Sequence, residues 1–219
     1  MVTRHQFLTM LHDLLKPPVY LEVGVQYGLS LNLAVHSEWA IGIDPEPLIE
    51  ATGKQSIYKM TSNQYFDFPI GNDPDMVDMA FIDGSHLWED AFRDFINVSR
   101  LCGPQSVVVF DDVLPYNAAI ATREPLPGDW TGDVWYAMVV LEPLLKALGM
   151  KSARVNTSPT GTFVVWGFSG APGDAAWIDE NVQAGTPPST PPADVLFRFN
   201  AYEAQDVVDR IKEDLCVLQ

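Results

Sequence analysis

Cysteine is scarce in this chain. Only Cys102 and Cys216 occur among 219 residues, far apart and outside any Cys-x-x-Cys spacing. Neither a disulfide framework nor a zinc knuckle is supported, and a reducing, cytoplasmic setting is the expectation. Basic residues are scarce as well: 13 Lys plus Arg stand against 29 Asp plus Glu, for a net charge of −16. A polyphosphate partner needs a basic footprint, so that balance excludes nucleic acid as the main partner. It excludes a polybasic membrane-surface role for the same reason. No apolar run approaches the roughly 20 residues needed to span a bilayer. His5, His12 and Asp13 interrupt the apolar N-terminal residues, which argues against a secretory signal. Internal repeats are lacking too. What is present is a composition 47% hydrophobic and 11% aromatic, enough to bury a sizeable core.

The order of patterns along the chain is more informative. Phe7, Leu8, Leu11, Leu14 and Leu15 recur at helical spacing. Thr3 and Gln6 form a capping-box pair ahead of them, and Pro17 and Pro18 end the helix. Val19–Val23 reads as a strand, followed by a glycine-bearing loop and a helix from about Leu29 to His36. A second strand ends at Asp44, and Pro45 and Pro47 are expected to open a short helix. Ile57–Met60 and Met76–Asp83 are the next strands, the latter a nearly continuous apolar run of the kind a doubly covered sheet requires. A helix from about Trp88 to Leu101, a strand over Ser106–Asp112 and a helix over Asp133–Leu148 follow.

Strand alternating with helix through short connections is the signature of right-handed βαβ units and a parallel sheet. The long Pro-bearing stretch 113–132 interrupts the alternation and is expected to form a lid. Two apolar runs on either side of the turn Ser158–Gly161 predict a hairpin. A main domain over 1–170 is then followed by a C-terminal extension over 171–219 with a Pro-rich linker and an amphipathic helix. Such a Pro-linked helix is a common means of reaching a second copy of the chain, so a homo-oligomer through this extension is an expectation. Trp177, Phe197 and Phe199 are read as its packing or interface groups.

Open parallel sheets bind ligands at the carboxyl ends of their strands. After the first strand, Glu22, Gly24, Gly28 and Ser30 make a loop spaced GxxxG rather than GxGxxG, which disfavours a nicotinamide dehydrogenase. A glutamate there suits a cationic ligand better than a pyrophosphate. Asp44, about twenty residues on, is placed to accept ribose hydroxyls, and equally to cap a helix.

The segments YLEVGVQYGLS, GIDPEP, MTSNQYF, AFIDGSHLWEDAFRDF and VVVFDDV occur in the order and spacing of class I S-adenosylmethionine-dependent methyltransferases. Over roughly Leu14 to Phe168 the chain most resembles their small-molecule O-methyltransferase branch, which includes macrolide and aminocoumarin sugar enzymes and, more distantly, catechol-type enzymes. The resemblance implies an α/β, Rossmann-like sheet of seven strands with the last antiparallel. It implies S-adenosylmethionine as cofactor, with Glu22, Gly24, Gly28 and Ser30 at the methionine end, Asp44 at the ribose, and Ser62 and Asn63 beside the adenine. Many such sequences carry Asp where Asn63 stands.

Asp83, Asp111 and Asp112 fall at the ends of two strands that would lie side by side, about 5 Å apart. Crowded carboxylates raise one another's pKa unless a cation holds them. Oxygen ligands favour Mg²⁺, with Mn²⁺ or Ca²⁺ as alternatives, and metal-dependent relatives place an acidic trio at these points. The competing expectation is that these residues only cap helices or bind loop amides. His86, three residues past Asp83, is a candidate general base for an acceptor hydroxyl, and Asp83 beside it is counted with the catalytic groups and at the cofactor's edge. Trp130, Asp133 and Trp135 are either an aromatic wall for the acceptor or a cap followed by core packing. Tyr116 and Arg123 in the lid are further acceptor-site candidates. The expected function is therefore methyl transfer to a hydroxyl of a sugar or phenolic small molecule. The alternatives are a metal-independent O- or N-methyltransferase of the same fold and a non-catalytic nucleoside-binding module.

Overall fold

A computed structural model describes residues 1–67, 74–170, 173, 180, 182–183 and 185–215; Cys216 and Trp177 lie outside the described residues. Eight strands, β1 (Val19–Val23), β2 (Trp39–Ile43), β3 (Gln55–Tyr58), β4 (Val77–Ile82), β5 (Cys102–Phe110), β6 (Lys151–Val155), β7 (Thr162–Trp166) and β8 (Ala201–Tyr202), form one sheet in the order 3-2-1-4-5-7-6-8. The pairings from β3 through β5 are parallel, and β7 runs antiparallel to both of its neighbours. The seven strands implied by sequence are thus joined by β8, which pairs parallel to β6 beyond the Pro-rich linker.

The central strands are apolar on both faces because both faces are covered: all five residues of β1 and of β7 are buried. On one side lie α1 (Arg4–Leu15) and, at the C-terminal end, α6 (Ala204–Asp214), burying Phe7, Leu8, Leu11, Val207, Val208 and Ile211. On the other lie α3 (Trp88–Ser99) and α4 (Val134–Ala147). Trp88, Phe92 and Phe95 recur at helical spacing on α3 and are fully enclosed, each contributing about 1.5–3 kcal/mol by burial. Two further short helices are α2 (Ser62–Asp67) and α5 (Ala193–Leu196). The capping box of α1 forms as expected, with the Thr3 amide on Gln6 at 2.8 Å and the Gln6 amide on the Thr3 hydroxyl at 3.2 Å. No helix among the described residues is long and apolar enough to cross a membrane.

Two expected helices are absent. The segment 29–36 makes only one 3₁₀ turn, Leu31–Leu33. Its apolar residues Leu29, Leu31, Leu33 and Val35 alternate with period two, which gives a helix no single apolar face; Leu31 is buried while Leu29 and Val35 are exposed. After β2 the chain makes bends instead of a helix. Pro45 and Pro47 lack amide hydrogens, and the amides between and after them are committed elsewhere, Glu46 to the Asp44 carboxylate and Leu48 to the Gln26 carbonyl.

Candidate active site

Strand register builds the site. Val23 pairs with both Ile43 and Ile82, and Ile82 pairs with Phe110. The residues that follow these last rungs, Gly24, Asp44, Asp83 and Asp111, therefore stand in one row along the carboxyl edge. The row straddles the point between β1 and β4 where the strand order reverses, the usual place for a ligand in such sheets. A cleft of about 660 Å³ opens there, bordered by Gly24, Asp44, Ser62, Asn63, Asp83 and His86.

The half of the cleft at β1 and β2 is made of satisfied backbone. Gly24 has a φ of +88°, and a Cβ at this position would lie 1.8 Å from the Asp83 carbonyl oxygen, so no other residue fits. Asp44 accepts the amides of Val25 and Gln26 at 2.8 Å each and that of Glu46 at 2.7 Å. Its carboxylate ties the glycine loop to β2 and still borders the cleft, with lone pairs to spare for a hydroxyl. Ser30 also faces the cleft, whereas Glu22 and Gly28 stand behind it. Glu22 is fully enclosed and accepts hydrogen bonds from the Tyr20 hydroxyl at 2.7 Å and the Ser30 hydroxyl at 2.8 Å. Burial pushes its carboxyl up to about 8 in spite of those bonds.

The half at β4 and β5 is made of charge on charge. Ligand atoms of Asp83, His86 and Asp112 all lie within 4.8 Å of one another, with His86 Nε2 at 3.5 Å from Asp83 and 3.2 Å from Asp112. His86 Nδ1 is 2.8 Å from the Trp130 carbonyl. A carbonyl only accepts, so Nδ1 carries the hydrogen and Nε2 is the nitrogen turned to the carboxylates. Burial alone would lower the imidazole pKa, but the hydrogen bond to Asp83 and the charges of Asp112 and Asp83 outweigh it and raise it to about 9. Burial, then the charge of Asp83, raises Asp112 to about 6. His86 and Asp112 both have positive φ, 61° and 62°, a conformation that costs non-glycine residues energy and gathers at functional sites. Asp111, expected as the third member of an acidic trio, is not part of this close group. One of its oxygens is held by the Arg4 guanidinium, which also stands 3.9 Å from Asp83. Its other oxygen, Oδ1, is buried without a partner.

The lid residues divide. Trp130 stacks on His86 with ring centres 5.1 Å apart and planes at 27°, and its carbonyl sets the imidazole tautomer. Asp133 is buried; its carboxylate accepts the Trp88 amide at 2.8 Å, capping α3 from outside that helix, and pairs with Arg123. Arg123 also reaches Glu89 at 2.9 Å, so the pair is a latch fixing the lid's end to α3. Gly132 lies against the backbone of His86, where a Cβ would meet the carbonyl oxygen at 1.8 Å. Trp135 is a correction: it is fully buried in the core under the lid, and the capping-and-packing expectation for this stretch holds there rather than the acceptor wall. Tyr116 is exposed and bonds Asp129 within the lid at 3.2 Å.

Sequence reasoning missed Arg4 and Asp94. Arg4 begins α1 and carries no local motif; only the fold brings it to β5. Asp94 is 2% exposed on the buried face of α3 and borders the cleft. Its Oδ1 has no partner, and burial raises its carboxyl to about 7 in spite of a hydrogen bond from the Ser62 hydroxyl. A carboxyl inside an otherwise apolar helix face was the available signal.

Residues 21–113 match the family model described as a methyltransferase domain. No curated protein matches the chain. Among solved structures, the fold is shared with an O-methyltransferase from Bacillus cereus in complex with SAH, at 15% identity and a TM-score of 0.52 over 74% of this chain and 79% of that one. It is shared also with the SAH-bound methyltransferase PaMTH1 from Podospora anserina, at 12% identity and a TM-score of 0.54 over 76% and 79%. The chain thus shares the α/β fold of these methyltransferases, and its residues 21–113, which carry the strand ends lining the cleft, match a methyltransferase domain.

Proposed function

We propose that the chain moves the methyl group of S-adenosylmethionine onto a hydroxyl of a small molecule, with a sugar or phenolic acceptor presented at the β4–β5 end of the cleft. The observation that carries this reading is the convergence of Asp83, His86 and Asp112 on one side of a cleft whose other side is the Asp44 loop. The acceptor oxygen forms its bond to the methyl carbon as the carbon–sulfur bond breaks and its electron pair returns to sulfur. The hydroxyl proton leaves to His86 Nε2, the ring nitrogen not bonded to the Trp130 carbonyl, once the carboxylates beside it no longer hold the ring protonated. Holding the two reactants in line contributes about 7–11 kcal/mol in well-oriented systems.

The residues fit a divalent ion. Two carboxylates, Asp83 and Asp112, converge beside an imidazole whose tautomer the Trp130 carbonyl sets, and the buried Oδ1 of Asp111 is unpartnered nearby. Asp83 and Asp112 would hold the ion, Mg²⁺ or Mn²⁺, with His86 adjoining. When bound, such an ion stabilises negative charge on the acceptor oxygen. Relieved of the two carboxylate charges that keep it protonated, His86 serves as a proton acceptor near neutral pH. A metal-independent form of the same reaction is favoured by one observation, the Arg4 guanidinium already seated on Asp111.

Calorimetry with S-adenosylhomocysteine and mass-spectrometric detection of methylated products from a panel of catechols and sugars, each run with and without EDTA, test these readings. Micromolar cofactor binding with EDTA-sensitive product formation is expected. Binding with no product across the panel would remove the catalytic reading, and EDTA-resistant product would favour the Arg4 form.

A further inference from the structure

Three carboxylates, Asp83, Asp111 and Asp112, already face two cationic side chains, His86 and Arg4. Arg4 differs from His86 in where it comes from. Its backbone is fixed against the turn between β6 and β7: the Arg4 amide donates to the Ser158 carbonyl at 3.3 Å, and the Ser158 amide donates to Val2 at 2.8 Å. The guanidinium thus swings on a long side chain from an anchored point, and with the side chain 31% exposed toward the cleft it has somewhere to go.

Asp111 has nowhere to go. Its side chain is 1% exposed, and one oxygen faces no donor. It borders a small enclosed cavity of about 10 Å³ together with Asp83, His86, Asp94 and Asp112. A buried carboxylate oxygen without a partner costs free energy unless something cationic or protic reaches it.

We propose that Arg4 is a tethered cation competing with a divalent ion for the acid cluster: seated, it keeps Asp111 out of the ion site; withdrawn, it makes Asp111 the third carboxylate ligand beside Asp83 and Asp112. This rests on the reading of Asp83 and Asp112 as ion ligands, and not on methyl transfer itself.

The test is titration of the cofactor-free protein with Mn²⁺, following the electron paramagnetic resonance signal of the free ion. Removing a positive charge a few ångströms from the site strengthens cation binding by roughly tenfold or more even with near-surface screening. Arg4→Gln should therefore bind Mn²⁺ at least that much more tightly than the wild type, while Arg4→Lys, which keeps the charge, stays close to it. Adding Asp111→Asn to Arg4→Gln should abolish the gain. Equal affinity in wild type and Arg4→Gln overturns the proposal, as does a gain that survives Asp111→Asn. Circular dichroism verifies folding, and should Arg4→Gln fail to fold, Arg4→Met, which keeps the aliphatic stem, carries the same test. Because the readout uses neither cofactor nor acceptor, a failure here is distinguishable from failure of the methyltransferase reading, which calorimetry with S-adenosylhomocysteine reports separately.

Discussion

At the β1–β2 end of the cleft a single carboxylate, Asp44, is answered by three backbone amides, while at the β4–β5 end three carboxylates share an imidazole and a guanidinium. The first arrangement needs no further partner to be stable. It pre-forms a loop and leaves spare lone pairs for a ligand that arrives with hydroxyls. The second holds two residues at positive φ and one oxygen without a donor, so it is most stable when a cation or a proton is supplied. Satisfied geometry and unsatisfied charge thus occupy neighbouring strand ends of one sheet.

If that division is real, the two ends should fail independently. The largest effect is expected from His86→Ala: turnover should fall by roughly 10²–10⁴, the range a positioned proton-transfer group contributes, with S-adenosylhomocysteine affinity unchanged within about twofold by calorimetry. Asp44→Ala should do the reverse, weakening cofactor binding by roughly tenfold or more, since three amide donors lose their acceptor and the loop its tie. Mn²⁺ binding should not change. A variant at either end that impaired both measurements would break the division.

A smaller effect is expected where the lid meets the acid end. Gly132→Ala places a methyl group on the His86 carbonyl oxygen, which the chain can relieve only by moving the lid's end off α3. Overpacking of this kind costs about 1–3 kcal/mol, readable as a lower melting temperature. Because the Trp130 carbonyl moves with it, His86 should lose its fixed tautomer and turnover should fall, while cofactor affinity stays. An unimpaired rate would mean that the Trp130 contact does not orient the base.

Most of the β1–β2 end was legible in sequence because it is local: Gly24, Ser30 and Asp44 follow strands whose apolar runs and lengths are plain, and register then aligns them. The acid end was half legible. Asp83, His86 and Asp112 meet as their strand ends implied, but Asp111 is paired with Arg4, more than a hundred residues away in the chain and brought near by helix packing on the sheet. The helix expected after β1 failed for a local reason, a period-two apolar spacing read as helical. Trp135 could be placed as wall or core only once the direction in which α4 packs was known. Spacing predicts which residues leave a strand end; it does not predict what a distant side chain will do to them.

The two ends differ also in what lies beneath them, and this gives the smallest effect. Under the glycine loop the buried ionisable groups are kept uncharged near neutral pH. Burial raises Glu22 to about 8, and His12, whose ring meets Tyr20 edge-on at 4.7 Å, is pushed down to about 4 by burial and by the nearby charge of His36. Both ring nitrogens of His12 are buried without a partner. A histidine whose folded pKa lies below its unfolded value stabilises the fold fully above about 6.5. That contribution is lost as pH falls from there through about 4, because the unfolded chain takes up the proton first. His12→Phe keeps an aromatic ring against Tyr20 and sacrifices no hydrogen bond. Melting temperatures of the two proteins should therefore be nearly equal at pH 7.5 and separate between pH 6.5 and 4, the variant falling less steeply. The underlayer is uncharged as described only if the two curves diverge on the acid side; parallel curves would mean that His12 is already solvated, and the contrast between the two ends would then stop at the surface of the cleft.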